Sequence, residues 1–251
     1  MRCISRVNEV VKRDSLFELY HLLGQYFVEL ANQAIAKHDS FHIALSGGNT
    51  PQAFYRLLST PSYIQHIPWD KVHIYQTDER FVTSEHPDNN FAMIRNLLID
   101  PINLSASNQH PIKTEHCTPF ASAQMYQQEL LSHLPSKNGL PQFDFMLLGL
   151  GVDGHIASLF PGYSLGADSQ QLVMDYEIKH LQSQRISLTL PLINHTKHLA
   201  VIVAGAEKSD MIEAIFNPPE QPMYPIHHLR SDNPIRWYLD AAAAQKLKEG
   251  E

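Results

Sequence analysis

Residues 143–162 (FDFMLLGLGVDGHIASLFPG) run from an apolar stretch into a glycine-rich turn that holds one carboxylate and one imidazole, Asp153 and His155. A neutral imidazole at pH 7 is a competent general base towards water or a sugar hydroxyl. The pattern predicts a buried strand over residues 143–148, the turn, and then a short helix beginning near His155. The positive end of that helix would disfavour the protonated ring. Asp153 either caps the helix or orients the imidazole; the spacing fits both.

Three other polar segments follow directly on apolar runs. Ser46-Gly47-Gly48-Asn49-Thr50-Pro51 has an unhindered backbone and opens a helix, so its N–H groups can face an anion. Asp78-Glu79-Arg80 offers a carboxylate for hydroxyls and a guanidinium for carboxylate or phosphate. Gly205-Ala206-Glu207-Lys208 puts a lysine at a helix start, where the dipole makes a cation unfavourable unless a ligand uses it. Each has a blander reading: a tight turn that needs glycine, a solvated ion pair, a surface lysine. Their common position after strands favours the functional one, because parallel strands would gather all four loops at one carboxyl edge.

Other chemistries are poorly supported. Gly149, Gly151 and Gly154 match the dinucleotide pattern G-x-G-x-x-G, with Asp175 about 20 residues on. The match lies mid-chain, Pro161-Gly162 leaves room for only about two helical turns, and Asp153 would repel a pyrophosphate. His195/His198 and His227-His228 lack an HExxH or Cys/His set, so they read as surface histidines and no metal site is expected. No GxSxG elbow is present. The net charge of −7 argues against non-specific nucleic-acid binding, so an anionic ligand must be met by a few placed cations. Cys3 and Cys117 give no disulfide framework and fit a reducing, cytoplasmic compartment. No leader and no apolar run long enough for a membrane span is recognised.

The elements that must position these groups alternate along the chain. Leu16, Leu19, Tyr20, Leu23, Phe27, Leu30 and Ala34 mark a long amphipathic helix. Strands are predicted over residues 41–45, 71–76, 185–190, 198–204 and 235–239. Helices follow Pro51, Asn89 and Thr118, then residue 208, and an alanine-rich helix is expected from Asp240. This is an α/β pattern: a single-domain doubly wound sheet over residues 1–251, mostly parallel, with helices on both faces.

Taken together the segments resemble the 6-phosphogluconolactonase family, within the glucosamine-6-phosphate deaminase/6-phosphogluconolactonase superfamily. The matching stretches are SGGNTP (46–51), IPWDKVHIYQTDERFV (67–82), HPDNNFAM (86–93), the specific FDFMLLGLGVDGHIASLFPG (143–162), QRISLTLPLIN (184–194), VIVAGAEK (201–208) and RWYLDAAAA (236–244). The resemblance implies a single α/β domain, no metal or organic cofactor, and hydrolysis of 6-phospho-D-glucono-1,5-lactone in the oxidative pentose phosphate pathway, next to glucose-6-phosphate dehydrogenase. It implies His155 as general base, with Asp153 positioning it or the substrate. Gly47, Gly48, Asn49 and Thr50, with Arg185 and Lys208, would cradle the phosphate. Asp78 and Arg80 would line the sugar end or support the pocket, and Asn90 would match the family's asparagine. Asn49 and Asn89 stand where serine is usual in the family, departures that remove no charge. Two alternatives are a glucosamine-6-phosphate deaminase/isomerase and a non-catalytic sugar-phosphate sensor. The deaminases carry a glutamate five residues after the histidine, where this chain has Phe160. A sensor would need a DNA-binding module, and the first 40 residues read as one helix.

Overall fold

A computed structural model describes residues 8–167, 170–217 and 224–247. Twelve strands are described: β1 (Asn8–Arg13), β2 (Phe41–Leu45), β3 (Val72–Gln76), β4 (Asp78–Arg80), β5 (Gln109–His110), β6 (Ser136–Lys137), β7 (Leu140–Pro141), β8 (Phe145–Leu148), β9 (Val173–Ile178), β10 (Ser183–Leu188), β11 (His198–Val203) and β12 (Ile235–Asp240). Seven build one sheet in the order β1-β12-β11-β8-β2-β3-β5, every neighbouring pair parallel. The chain winds outwards from β2 to β5, returns to β8 beside β2, and winds the other way. The carboxyl ends of β2 and β8 therefore diverge at the switch point, the usual ligand crevice of such sheets.

The central strands are apolar on both sides because both sides are covered. Every residue of β2 and of β8 is buried. Phe145 and Leu147 face a core made by the helices α1 (Leu16–His38) and α2 (Gln52–Leu58), including Leu23, Phe27 and Phe54. After the short helices α3 (Pro61–Ile64) and α4 (Asn90–Ile94) comes α5 (Pro119–His133), whose Tyr126 lies in the opposite core with Met146 and Leu148. This two-sided burial is what a doubly wound parallel sheet requires of its middle strands. Helix α1 starts where Ser15 Oγ accepts the Glu18 N–H and ends at Asp39 in the left-handed region, φ 61°.

Several expectations change. Residues 78–80 are not a loop: they form β4, the outer strand of a separate antiparallel sheet, β4-β10-β9. No helix follows His155; residues 156–159 close a tight turn through a bridge between Ile156 and Leu159. Gly154 (φ 79°) and Ala157 (φ 48°) are both left-handed there, which no α-helix tolerates. The alanine-rich segment after Asp240 is a run of hydrogen-bonded turns rather than a regular helix. Strand β1, ahead of the long helix, and strand β9 were not expected. Cys3 lies outside the described residues.

Candidate functional site

The four polar segments meet. Ser46–Pro51 after β2, Gly149–Gly151 and His155 after β8, Ala204, Glu207 and Lys208 after β11, and Asp78, Arg80, Asn90 and Arg185 from the small sheet and its neighbour line one cleft of about 340 Å³. Every residue singled out as substrate-binding lies on its wall: Gly47, Gly48, Asn49, Thr50, Asp78, Arg80, Asn90, Arg185 and Lys208. Asp153 stands behind the wall, against His155.

The Asp153–His155 geometry decides between the two sequence readings. Asp153 Oδ1 lies 2.6 Å from His155 Nδ1 and also accepts the His155 backbone N–H at 3.2 Å. With no helix to cap, the carboxylate orients the ring, and the tautomer with the proton on Nδ1 leaves Nε2 as the basic nitrogen. Burial works against the Asp153 charge, but the hydrogen bond and charge of His155 outweigh it and hold the carboxyl below its usual range. Phe160 stacks on the imidazole, ring centres 4.3 Å apart. Gly151 donates its N–H to the His155 carbonyl at 2.9 Å, and a Cβ there would collide with the imidazole and with Asp153. The glycine is needed for close approach rather than for flexibility.

The opposite wall is cationic. Arg80 and Arg185 are direct partners across β4 and β10. Burial, followed by the charge of Arg80, lowers the Arg185 pKa, and burial lowers that of Lys208. Among the described residues none of the three cations lies within ion-pair distance of a carboxylate. Instead Lys208 Nζ donates to the Leu150 carbonyl at 2.8 Å and Arg80 Nη1 to the Asp88 carbonyl at 2.8 Å. Three buried polar atoms of this wall, Ser46 Oγ, Arg80 Nε and Asn90 Oδ1, have no hydrogen-bond partner among the described residues. Such groups are costly to leave unpaired.

Supporting residues hold the wall in place. Asp78 accepts from Ser158 Oγ at 2.6 Å and from Thr77 Oγ1 at 2.9 Å, so its carboxylate ties the His155 turn to β4. Glu79, wholly buried, was not singled out from the sequence. Its oxygens accept from the backbone N–H groups of Arg80, Asn90 and Phe91 and from Gln76 Nε2. Desolvation nevertheless pushes its carboxyl up to about 7. The only sequence hint was its place between two residues with a visible chemical use. Gly47 is required because a Cβ would overlap the Asn90 amide.

The histidines set aside as surface residues are not all on the surface. His227 is fully buried with Nε2 3.2 Å from the Ala214 carbonyl, and His198 is half-buried against Tyr26, its pKa lowered by burial to about 4.

A family described as glucosamine-6-phosphate isomerases/6-phosphogluconolactonase matches residues 14–237. The chain belongs to that family. Within the glucosamine-6-phosphate isomerase/6-phosphogluconolactonase family, it is 37% identical over 219 residues to a 6-phosphogluconolactonase of Synechocystis sp., covering 86% of this chain and 88% of that one. A 6-phosphogluconolactonase of Haemophilus influenzae is 34% identical over 208 residues, 82% of this chain and 87% of that one. The solved 6-phosphogluconolactonase of Trypanosoma brucei superposes with a TM-score of 0.85 at 26% identity, covering 97% of this chain and all (100%) of that one.

Proposed function

We propose that this chain hydrolyses 6-phospho-D-glucono-1,5-lactone to 6-phospho-D-gluconate, with His155 as general base and no covalent intermediate. The observation that carries the reading is the Asp153-oriented imidazole on one wall of a cleft whose other wall presents Arg80, Arg185 and Lys208, without carboxylate partners among the described residues. The relatives named 6-phosphogluconolactonase support the choice of substrate.

His155 Nε2 takes a proton from water as its oxygen adds to the lactone carbonyl carbon. The negative charge that forms on the carbonyl oxygen develops inside a cationic cleft. As the intermediate collapses, the bond from that carbon to the ring oxygen breaks, and the imidazolium returns its proton to the departing hydroxyl. The new carboxylic acid ionises. A lactone is an activated ester, so a placed base suffices, and general-base help supplies about 10²- to 10⁴-fold. Gly47, Gly48, Asn49 and Thr50 with Arg185 and Lys208 hold the phosphate, which anchors the ring and spends remote binding energy on orientation. Asp78 acts through Ser158, and Arg80 and Asn90 line the sugar end of the cleft. Phe160 stacks on His155 at the position where the deaminases carry a glutamate, so that one carboxylate of an aldose–ketose deaminase is missing.

In the cell the chain would work in the cytoplasm, as one domain over residues 1–251, on the lactone that a glucose-6-phosphate dehydrogenase releases. The test generates the lactone in situ with that dehydrogenase and follows its loss over the spontaneous rate. Acceleration by the chain that disappears in His155→Ala supports the reading. Phosphosugar binding without acceleration would replace it with a sensor.

A further inference from the structure

Away from the cleft, strands β2, β3 and β5 carry a row of imidazoles. His42 stacks on His73 with ring centres 4.6 Å apart, His73 on His110 at 5.3 Å, and Tyr75 lies flat on His110 at 4.1 Å. The row ends at helix α5, where Glu129 and His133 share one face at the i, i+4 spacing. His110, Glu129 and His133 are the one group of three or more His, Cys, Asp or Glu side chains among the described residues whose donor atoms all lie within 4.8 Å of one another. None of the three lines the cleft that holds His155.

We propose that His110, Glu129 and His133 bind a divalent first-row transition ion of the zinc class. Two imidazole nitrogens and one carboxylate suit zinc better than calcium or magnesium, which prefer all-oxygen shells. Tetrahedral zinc with ligands at about 2.0–2.2 Å sets ligand–ligand separations of about 3.4 Å. Glu129 Oε1 is 3.3 Å from His133 Nδ1 and 2.7 Å from His110 Nδ1, so the second pair opens by about 0.7 Å to admit the ion, and His133 Nδ1 gives up its 3.0 Å contact with the Glu129 carbonyl. Ligation through Nδ1 requires the His110 proton on Nε2, and His73 Nδ1 lies 3.1 Å from that atom, placed to accept its hydrogen bond. Metal-bound histidines characteristically have such a partner on the other ring nitrogen. His110 is 1% exposed while Glu129 and His133 reach the surface, so one ligand is fixed by the core and two can close on the ion. A groove of about 700 Å³, lined by Glu129, Gln109, Lys113 and Met125 among others, opens beside Glu129. The ion would staple the end of α5 to the edge strand β5, a structural rather than a catalytic role.

The test uses the full chain stripped with a chelator and titrated with zinc chloride by calorimetry, alongside thermal unfolding. One tight equivalent is expected, and at about 100-fold excess over Kd the unfolding midpoint should rise by about 5–10 °C. Both effects should vanish in His133→Ala, whose side chain is 45% exposed and expendable for folding, and weaken at least tenfold in Glu129→Gln. Cobalt substituted for zinc should show tetrahedral absorption in the visible that is absent from His133→Ala. No uptake at micromolar zinc, or the same stoichiometry and affinity in His133→Ala, would overturn the site.

Discussion

Two histidine environments in this molecule differ in almost every respect. His155 sits at the carboxyl edge of the sheet, partly exposed, with one ring nitrogen held by Asp153 and the other facing a polar cleft. His42 sits inside the sheet's flank, 5% exposed, between His73 and Tyr75, with its Nδ1 3.3 Å from the Tyr75 hydroxyl. Burial first, and then the neighbouring histidines, drive its pKa down to about 3. On the proposed mechanism the same side chain is a base in one place, and it is a neutral packing element in the other. What separates them is whether water and a carboxylate can reach the ring.

The contrast is broken most severely at His155. His155→Ala should fold with an unchanged thermal midpoint and lose about 10²- to 10⁴-fold in kcat for the lactone, read in the coupled assay. Asp153→Asn removes the orienting charge but not the base. A hydrogen bond to a charged group is worth about 1.5–3 kcal/mol, so the expected loss is about 10- to 100-fold, again in kcat with little change in KM. At the other histidine the effects change kind. His42→Ala should cost about 2–3 kcal/mol in urea unfolding, from a cavity and a poorly satisfied Tyr75 hydroxyl, while kcat of the folded enzyme stays put. A variant of His42 that lost activity without losing stability would erase the distinction.

The pH dependence of stability gives the smallest effect. His42 and His198 have folded pKa values depressed to about 3 and about 4. Below the unfolded value of about 6.5 the unfolded chain takes up protons that the folded chain refuses, so stability falls as pH drops towards the folded values. Each such group contributes about 1.4 kcal/mol per pH unit in that window. Glu79 and Asp144 act oppositely: desolvation raises their folded pKa, and the stability they contribute is lost as pH rises. Comparing wild type with His42→Ala between pH 5 and 6.5 cancels those terms, and the variant should show a slope shallower by about half a proton at pH 6.5, approaching one proton at pH 5. Equal slopes would mean the His42 ring is protonated in the fold.

Much of this was legible in the sequence because strong local signals agreed with the global plan. Apolar runs such as 41–45 and 143–148 end in glycine-rich polar turns, and burial on both faces explains why these runs do not alternate. The turn after β8 misled because Ile156-Ala157-Ser158-Leu159-Phe160 has helix-compatible residues. Its backbone is instead decided by Gly154 and Ala157 in the left-handed region and by the contacts of Ser158 with Asp78 and Ser187. Those contacts span 80 and 29 residues of chain, which no local pattern reports. Strand β4 was hidden because its three residues are all charged, and its partner β10 lies about a hundred positions away. The His110–Glu129–His133 group escaped notice for the same reason: the i, i+4 pair is visible, but its third member lies on a two-residue strand.

Arg80 and Arg185, facing one another across β4 and β10 without a carboxylate between them, have a consequence for how the chain can evolve. Like charges held side by side oppose folding, so selection for heat resistance alone would find replacements of Arg185 early and favour them. On the proposed function the same replacements would strip the cleft of its hold on an anion. The pair is thus a point where endurance and capture pull in opposite directions, and its persistence in a lineage would record which of the two was being selected.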